Sequence, residues 1–253
     1  MSVERRFSCT ACGACCRGQT PLTLSEALKY ADLFPIAMVW TPVRPGAKNH
    51  ELALKLGAAV RLGGKKDAGV FIAATAYLPK NLPCPALDDD GLLCRIHDDK
   101  PLRCRAMPFY PYREEADQSD LLTPRPGWKC DVSAAAPVVY RDRKIVESAD
   151  FLAEKAALAA QAAAVKAYAK HVLTYVPGVT EQLAKAAGGK FAGHVVMSWY
   201  LYLSRLSNEI AVPSARAQVE TLTRFITLTE GRADLAEHHK NYLRWRDEMR
   251  RFL

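Results

Sequence analysis

Hydrophobic and polar positions follow a helical period through most of the second half of the chain. From Ser148 an alanine-rich segment runs to about Tyr175, where Pro177 and Gly178 follow. Serine caps helices and a Pro-Gly pair ends them, so this pattern predicts one long helix. Further helical patterns begin near Thr180, Phe191, Ser214 and Asp234. The last of these predicts a helix with Leu235, Tyr242, Trp245, Met249 and Phe252 on one apolar face.

The first half of the chain alternates short apolar runs with turn residues. Thr23 or Ser25 can cap a short helix. Residues 69–78 are rich in β-branched and aromatic side chains, which predicts a strand. Asp90-Gly91 is typical of a hairpin turn, and Cys94 would then lie on the returning strand. Residues 138–146 predict a second hairpin that turns near Arg141 and Asp142.

Together these patterns predict an α+β fold in two domains. A loop-rich domain with short hairpins occupies residues 1–146, and an all-helical domain occupies residues 147–253. With 49% hydrophobic residues the chain can bury a core without disulfides. The most apolar stretch, residues 195–206, is too short for a membrane span. No apolar region follows Arg5 and Arg6 as it would in an export signal, so we expect a cytoplasmic protein with no membrane segment.

The net charge of +8 raises the question of nucleic-acid binding. The excess of lysine and arginine is spread along the chain and forms no long basic run, so we do not expect a nucleic-acid partner. Four thiolates around one zinc ion or one oxidised cluster carry a charge of about −2, which part of the excess would balance. A protein partner or substrate remains possible, and the sequence does not indicate an oligomeric state.

Cysteine is the residue type that points most directly to chemistry. Four of the eight cysteines lie in the segment FSCTACGACCR, residues 7–17, and none lies beyond residue 130. In a reducing compartment, clustered thiols are metal ligands or catalysts more often than they are disulfides. The candidate metal ligands are Cys9, Cys12, Cys15, Cys16, Cys84, Cys94, Cys104 and Cys130.

The spacing of the cysteines favours an iron–sulfur centre over zinc. Two residues separate Cys9 from Cys12 and Cys12 from Cys15, so their thiolates can converge on one small object. A zinc knuckle offers two such ligands, whereas three in a row are typical of the loop around a 4Fe–4S cluster. Cys84, which proline follows, fits the fourth ligand, and Cys16 would serve a second centre. Because thiolates suit both metals, zinc and the partition of the eight thiols stay open.

Basic residues beside the cysteines are further candidates for the site. Arg17, Arg95, Arg103 and Arg105 either offset the negative charge of the centre, hold an anionic substrate or lie on a solvated surface. His97 is a weaker candidate ligand, because eight thiols already suffice. The sequence contains no Ser/His/Asp grouping, Walker loop or dinucleotide fingerprint with supporting context, so it indicates no catalytic residue.

The cysteine segments resemble a known family. FSCTACGACCRG, the LTLSEA after it and CPALDDDGLLCRIHDDKPLRCRAMPF resemble YkgJ-type cysteine-cluster proteins. That family carries a CxxCxxCC motif and is described as chelating zinc or iron. The resemblance covers roughly residues 7–130 and includes every cysteine. It implies that the first seven cysteines are the ligands of the family and that Cys130 is an eighth.

The resemblance also implies an enzyme as one alternative. Flagellin lysine methylases carry a similar cysteine domain, so a protein lysine methyltransferase-like activity is possible. The radical S-adenosylmethionine spacing is absent, because Gln19 stands where its last cysteine would be. We expect a metal-binding protein with one or two thiolate-ligated centres, iron–sulfur in type and redox or catalytic in role. A zinc-binding structural or interaction module is the other alternative.

Overall fold

The computed structural model describes residues 4–63, 65–88, 90, 93–189 and 193–253. It is 45% helical and 17% strand, so the predicted mixed content and the helical C-terminal region are confirmed. The strands are β1 (Glu4–Arg6), β2 (Thr20–Leu22), β3 (Ile36–Val43), β4 (Ala58–Val60), β5 (Ala68–Ala76), β6 (Val138–Arg141), β7 (Lys144–Ile145) and β8 (Val195–Ser198). The helices are α1 (Leu24–Lys29), α2 (His50–Leu56), α3 (Leu102–Arg105), α4 (Ala149–Tyr175), α5 (Val179–Gly188), α6 (Tyr200–Leu203), α7 (Asn208–Thr229) and α8 (Ala236–Met249). Within the described ranges, no helix combines the length and apolar character needed to cross a lipid bilayer.

Backbone contacts divide the chain into two compact units, each built from two separate segments. The first unit contains the chain up to Gly18 together with Lys80–Ala157. The second unit contains Gln19–Pro79 together with Leu158–Leu253, so the division falls inside α4. This differs from the sequence-based division at residue 146, because residues 19–79 pair with segments from the second half of the chain.

The first unit is organised around a three-stranded antiparallel sheet in the order β1-β6-β7. The hairpin predicted for residues 138–146 is confirmed, with its turn at Asp142 and Arg143, one residue later than expected. Both turn residues have positive φ angles, of 48° and 65°. The core on this sheet consists of Phe109, Leu122, Tyr140, Ile145 and Phe151.

The second unit contains an antiparallel sheet in the order β2-β5-β3-β8, with β4 paired to β5. β5 confirms the strand predicted at residues 69–78. α1 was also predicted, and Thr23 is its cap. The Thr23 hydroxyl accepts a hydrogen bond from the Glu26 N–H over 3.2 Å, and the Glu26 carboxylate accepts one from the Thr23 N–H over 2.8 Å. This reciprocal capping box starts the helix.

β8 corrects the expectation that residues 147–253 are all helical. Val195–Ser198 form a strand that pairs with β3, where a helix from Phe191 to Ser207 was predicted. Phe191 itself lies outside the described residues. A short apolar run is compatible with a buried helix and with a strand. Here the run forms a strand because it pairs with the edge of β3 that β5 does not occupy.

The remaining helices of the second unit follow the sequence patterns closely. α4 and α5 are confirmed, and Tyr242, Trp245 and Met249 are fully buried on α8. α7 begins at Asn208, so the expectation that this helix begins near Ser214 was wrong. Ser207 has the extended backbone of the N-cap position instead, and Ser214 is buried within the helix.

A buried glutamine ties α7 to the loop before β3. The Gln218 amide donates to the carbonyl oxygens of Ala31 and Phe34 over 2.6 and 2.7 Å. Its carbonyl oxygen accepts from the Ile36 N–H over 2.9 Å. The side chain is completely buried, so these backbone groups depend on it for their hydrogen bonds.

Candidate metal centre

The N-terminal cysteine loop turns tightly around Gly13. This glycine is buried and has a φ of 66°, and its carbonyl oxygen accepts a hydrogen bond from the Cys16 N–H over 3.0 Å. Ala11 also has a positive φ, of 52°. Left-handed backbone at these two positions coils the loop, and a residue with a side chain pays a conformational penalty there that glycine does not.

Two cysteines accept hydrogen bonds from the backbone two residues further along. The Ala11 N–H donates to Cys9 Sγ and the Ala86 N–H donates to Cys84 Sγ, both over 3.4 Å. An N–H directed at sulfur stabilises the thiolate relative to the neutral thiol. At Cys84 this hydrogen bond opposes burial, which is the larger effect and raises the pKa of the thiol.

An antiparallel bridge brings Cys9 opposite Cys130. Ser8 and Asp131 exchange both backbone hydrogen bonds, over 2.8 and 3.0 Å. The Thr10 hydroxyl donates to the carbonyl oxygen of residue 129 over 2.8 Å, which continues the same register. In an antiparallel pair the residues between these contacts face each other, and here they are the two cysteines.

Cys12 and Cys15 of the same loop also interact with the segment that contains Cys130. The backbone amides of Lys129 and Ala14 hydrogen-bond to Cys12 and lower the pKa of its thiol. Burial raises the pKa of Cys130, and neighbouring thiol charges raise it further. Those charges come from Cys12, Cys9 and Cys15.

A second bridge brings Cys16 opposite Cys84. Arg17 and Pro83 form an isolated antiparallel bridge, and the Cys84 N–H donates to the Cys16 carbonyl oxygen over 2.9 Å. The two bridges therefore pair the two ends of one loop with different segments of the chain. The beginning of the loop pairs with residues 129–131, and its end pairs with residues 83–84.

Cys94 lies on the segment that pairs back with the residues following Cys84. Leu87 and Cys94 form an antiparallel bridge, and the Arg95 N–H donates to the Ala86 carbonyl oxygen over 2.8 Å. The flanks of the predicted hairpin thus pair as expected, although Gly91 of its turn lies outside the described residues.

Cys104, on α3, lies near Cys16, Cys84 and Cys94. Burial, with the charge of Cys84 as the next cause, raises the pKa of Cys104 to about 12. A hydrogen bond with Cys15, whose Sγ lies 4.0 Å from Cys16 Sγ, lowers the pKa of Cys16, while burial raises it. The thiol charges that also raise it are those of Cys84, Cys104 and Cys94.

The cysteine thiols have the chemical character of metal ligands, but their sulfur atoms are not arranged around a common point. All eight cysteines are free; Cys9 and Cys15 are exposed and the others are half-buried. Among the residues that the structure describes, no three His, Cys, Asp or Glu side chains are arranged to hold a metal ion as they stand. Metal binding would therefore require the sulfur atoms of neighbouring cysteines to turn toward a common point.

The grouping differs from the spacing argument in one respect. The spacing suggested Cys84 as the fourth ligand beside Cys9, Cys12 and Cys15. The backbone bridges instead place Cys130 beside Cys9 and Cys84 beside Cys16. No local signal could have shown this, because the Cys9–Cys130 pairing joins segments that are far apart in the sequence.

The basic residues beside the cysteines have different surroundings. Arg103 is buried, and its Nη1 lies 3.1 Å from the carboxylate of Glu154, a partner that the sequence did not indicate. Arg105 pairs with Asp150 near the surface. Arg17, Arg95 and His97 are exposed.

Comparison with known proteins finds one family model that matches the cysteine-containing part of the chain. Residues 8–126 match the family model CxxCxxCC, described as "Putative zinc- or iron-chelating domain", which confirms the resemblance seen in the sequence. Searches of the curated proteins and of the solved structures found no match.

Proposed function

We propose that the unit carrying the CxxCxxCC domain binds metal through its cysteine thiolates and forms an iron–sulfur centre with a redox or catalytic role. The observation that carries this proposal is that all eight cysteines belong to one compact unit, although that unit is assembled from two separate segments. The family match supports zinc or iron chelation. Iron–sulfur clusters take four thiolates each, so the donor set is sufficient.

Backbone groups and a nearby positive charge act on three of the proposed ligands. The N–H groups of Ala11 and Ala86 already point at the sulfur atoms of Cys9 and Cys84. The positive charge of Arg103 opposes the rise in the pKa of Cys104 that burial causes. Hydrogen bonds to the sulfurs and nearby charges of this kind tune the potential of an iron–sulfur cluster, which supplies electron transfer when it is bound.

Metal and sulfide analysis tests the proposal directly. Protein purified without oxygen should contain about four irons and four acid-labile sulfides per centre. It should also show a visible charge-transfer band that bleaches on reduction. Colourless protein without iron would contradict the iron–sulfur assignment.

Zinc is the second candidate, because the family description names zinc beside iron. A zinc-bound unit would be a structural or interaction module and would respond to no reductant. Stoichiometric zinc without sulfide would support this candidate, and folding that survives complete chelation would contradict it.

Three further expectations stay predictions from the sequence. The lysine methyltransferase-like activity rests on the resemblance, and calorimetric titration with S-adenosylmethionine tests it. The expected cytoplasmic location and a protein partner or substrate also stay predictions.

A further inference from the structure

We propose that the eight cysteines form two separate four-thiolate centres that differ in accessibility, an inference that rests on the proposed metal binding. The outer centre consists of Cys9, Cys12, Cys15 and Cys130. The inner centre consists of Cys16, Cys84, Cys94 and Cys104.

The outer centre follows from the pairing of residues 8–10 with residues 129–131. The Ser8–Asp131 bridge puts Cys9 opposite Cys130. The Cys12 thiol hydrogen-bonds to the backbone amide of Lys129, the residue before Cys130. Cys9, Cys12 and Cys130 therefore lie on two segments that contact each other directly.

The inner centre follows from the pairing of Cys16 with Cys84 and of Cys94 with Leu87. The first pairing is a backbone hydrogen bond of 2.9 Å, and the second is an antiparallel bridge three residues after Cys84. Cys104 is close enough to interact electrostatically with Cys16 and Cys84. These four thiols are mutual neighbours.

Cys15 lies near both groups, and its assignment rests on two arguments. Its Sγ is 4.0 Å from that of Cys16, so the two centres would be adjacent, with the Cys15–Cys16 peptide between them. Cys15 continues the two-residue spacing of Cys9 and Cys12. The inner group already has four thiols without it, which is the full coordination of a zinc ion or a cubane cluster.

The two groups differ in exposure to solvent. The outer group contains Cys9 and Cys15, both exposed, whereas each inner cysteine is half-buried. The inner group also includes Cys104 on α3, where the neighbouring Arg103 forms a buried ion pair with Glu154 over 3.1 Å. We therefore expect metal in the outer centre to exchange readily and metal in the inner centre to be retained.

Double serine variants test which cysteines share a centre, with Zn²⁺ alone as the probe. The wild-type protein should retain about two zinc ions per chain after desalting. Cys9→Ser, Cys130→Ser and the double variant should each retain about one, because both cysteines belong to the same centre. Cys9→Ser combined with Cys84→Ser should lose both ions, since it removes a ligand from each centre.

The opposite pattern would overturn the partition. If Cys9→Ser/Cys84→Ser retained one ion and Cys9→Ser/Cys130→Ser retained none, the fourth outer ligand would be Cys84. Wild-type binding of a single ion would also reject two centres, while leaving metal binding intact. A wild-type protein that binds neither zinc nor iron would instead contradict the proposed function, and this inference with it.

A measurement on the wild-type protein alone avoids variants that fail to fold. Zinc-loaded protein is treated with a chelator and an alkylating agent, and the modified cysteines are identified by mass spectrometry over time. Cys9, Cys12, Cys15 and Cys130 should be labelled together in a fast phase and the other four in a slow phase. Labelling of all eight at one rate, or of Cys84 with the fast group, would contradict the proposal.

Discussion

The backbone N–H of Cys84 donates to the carbonyl oxygen of Cys16 over 2.9 Å. This bond holds the end of the N-terminal loop against the start of the second segment of the same unit, Lys80–Ala157. The loop makes this contact in a coiled conformation, with positive φ angles at Ala11 and Gly13. The backbone at its centre should therefore matter for metal binding as much as the cysteines do.

Replacing Gly13 by alanine should weaken metal binding. The glycine is buried at a φ of 66°, where a side chain costs about 1–2 kcal/mol. We expect a lower free energy of unfolding and reduced metal retention, measured by denaturant titration and metal analysis. Gly46→Ala is the matched control, since Gly46 has a φ of 83° and an added Cβ would meet nothing within 4 Å. It should lose similar stability and keep its metal; equal metal loss in both variants would contradict a specific role for the loop.

Replacing Glu154 by glutamine should destabilise the first unit strongly. The Glu154 and Arg103 side chains are only 4% and 6% exposed, so the change leaves a buried guanidinium without its counter-ion. Breaking such a pair costs about 3–5 kcal/mol. The free energy of unfolding from urea titration measures the loss. Asp120→Asn removes the exposed ion pair with Arg113 and should cost at most about 1 kcal/mol; a similar cost for both would contradict the importance of burial.

Replacing Gln218 by alanine should destabilise the second unit. The change strands the backbone groups of Ala31, Phe34 and Ile36 that the amide satisfies. Each unsatisfied buried group costs about 1–3 kcal/mol, so a total above about 2 kcal/mol is expected in thermal or urea unfolding. Glu220→Ala, on the exposed side of the same helix, should change stability by less than about 0.5 kcal/mol. A neutral Gln218→Ala variant would show that water replaces the amide.

Stability should fall in mild acid through His238. Its ring stacks on Tyr77 at 4.8 Å between centroids, and burial lowers its pKa below the ordinary value of about 6.5. The unfolded chain therefore binds this proton first, and the stability contribution is lost as pH falls from about 6.5 through the lower pKa of the folded state.

His238→Phe tests this pH dependence. It should flatten the decline in unfolding free energy below about pH 6.5, because a neutral ring replaces the titrating one. His194→Gln, at an exposed histidine, should leave the decline as it is in the wild type. An unchanged slope in the His238 variant would assign the effect to other groups.

Local signals were sufficient to predict several elements of the fold. The Thr23–Glu26 capping box, the hairpin at residues 138–146 and the helix α4 each depend on neighbouring residues, and all three are present. The strand β8 was missed because its Val-Val-Met run suits two structures, and its pairing with the distant strand β3 selects one.

The candidate site was predictable in composition and not in arrangement. Eight cysteines and their family resemblance can be read directly from the sequence. The neighbours of each thiol depend on the bridges at Ser8–Asp131 and Arg17–Pro83, which close long loops. The buried Arg103–Glu154 pair was missed for the same reason, since Glu154 sits within an alanine-rich helix with no mark of its role.

The pairing of Cys9 with Cys130 also bears on how the protein is made. At a synthesis rate of about 5–20 residues per second, roughly 6–24 s pass between the two cysteines being added to the chain. During that interval the four N-terminal thiols have left the ribosome without the partner segment that lies opposite them. They are then open to oxidation or to the wrong metal, so we expect the nascent chain to depend on reducing conditions until residues 129–131 can pair with the loop.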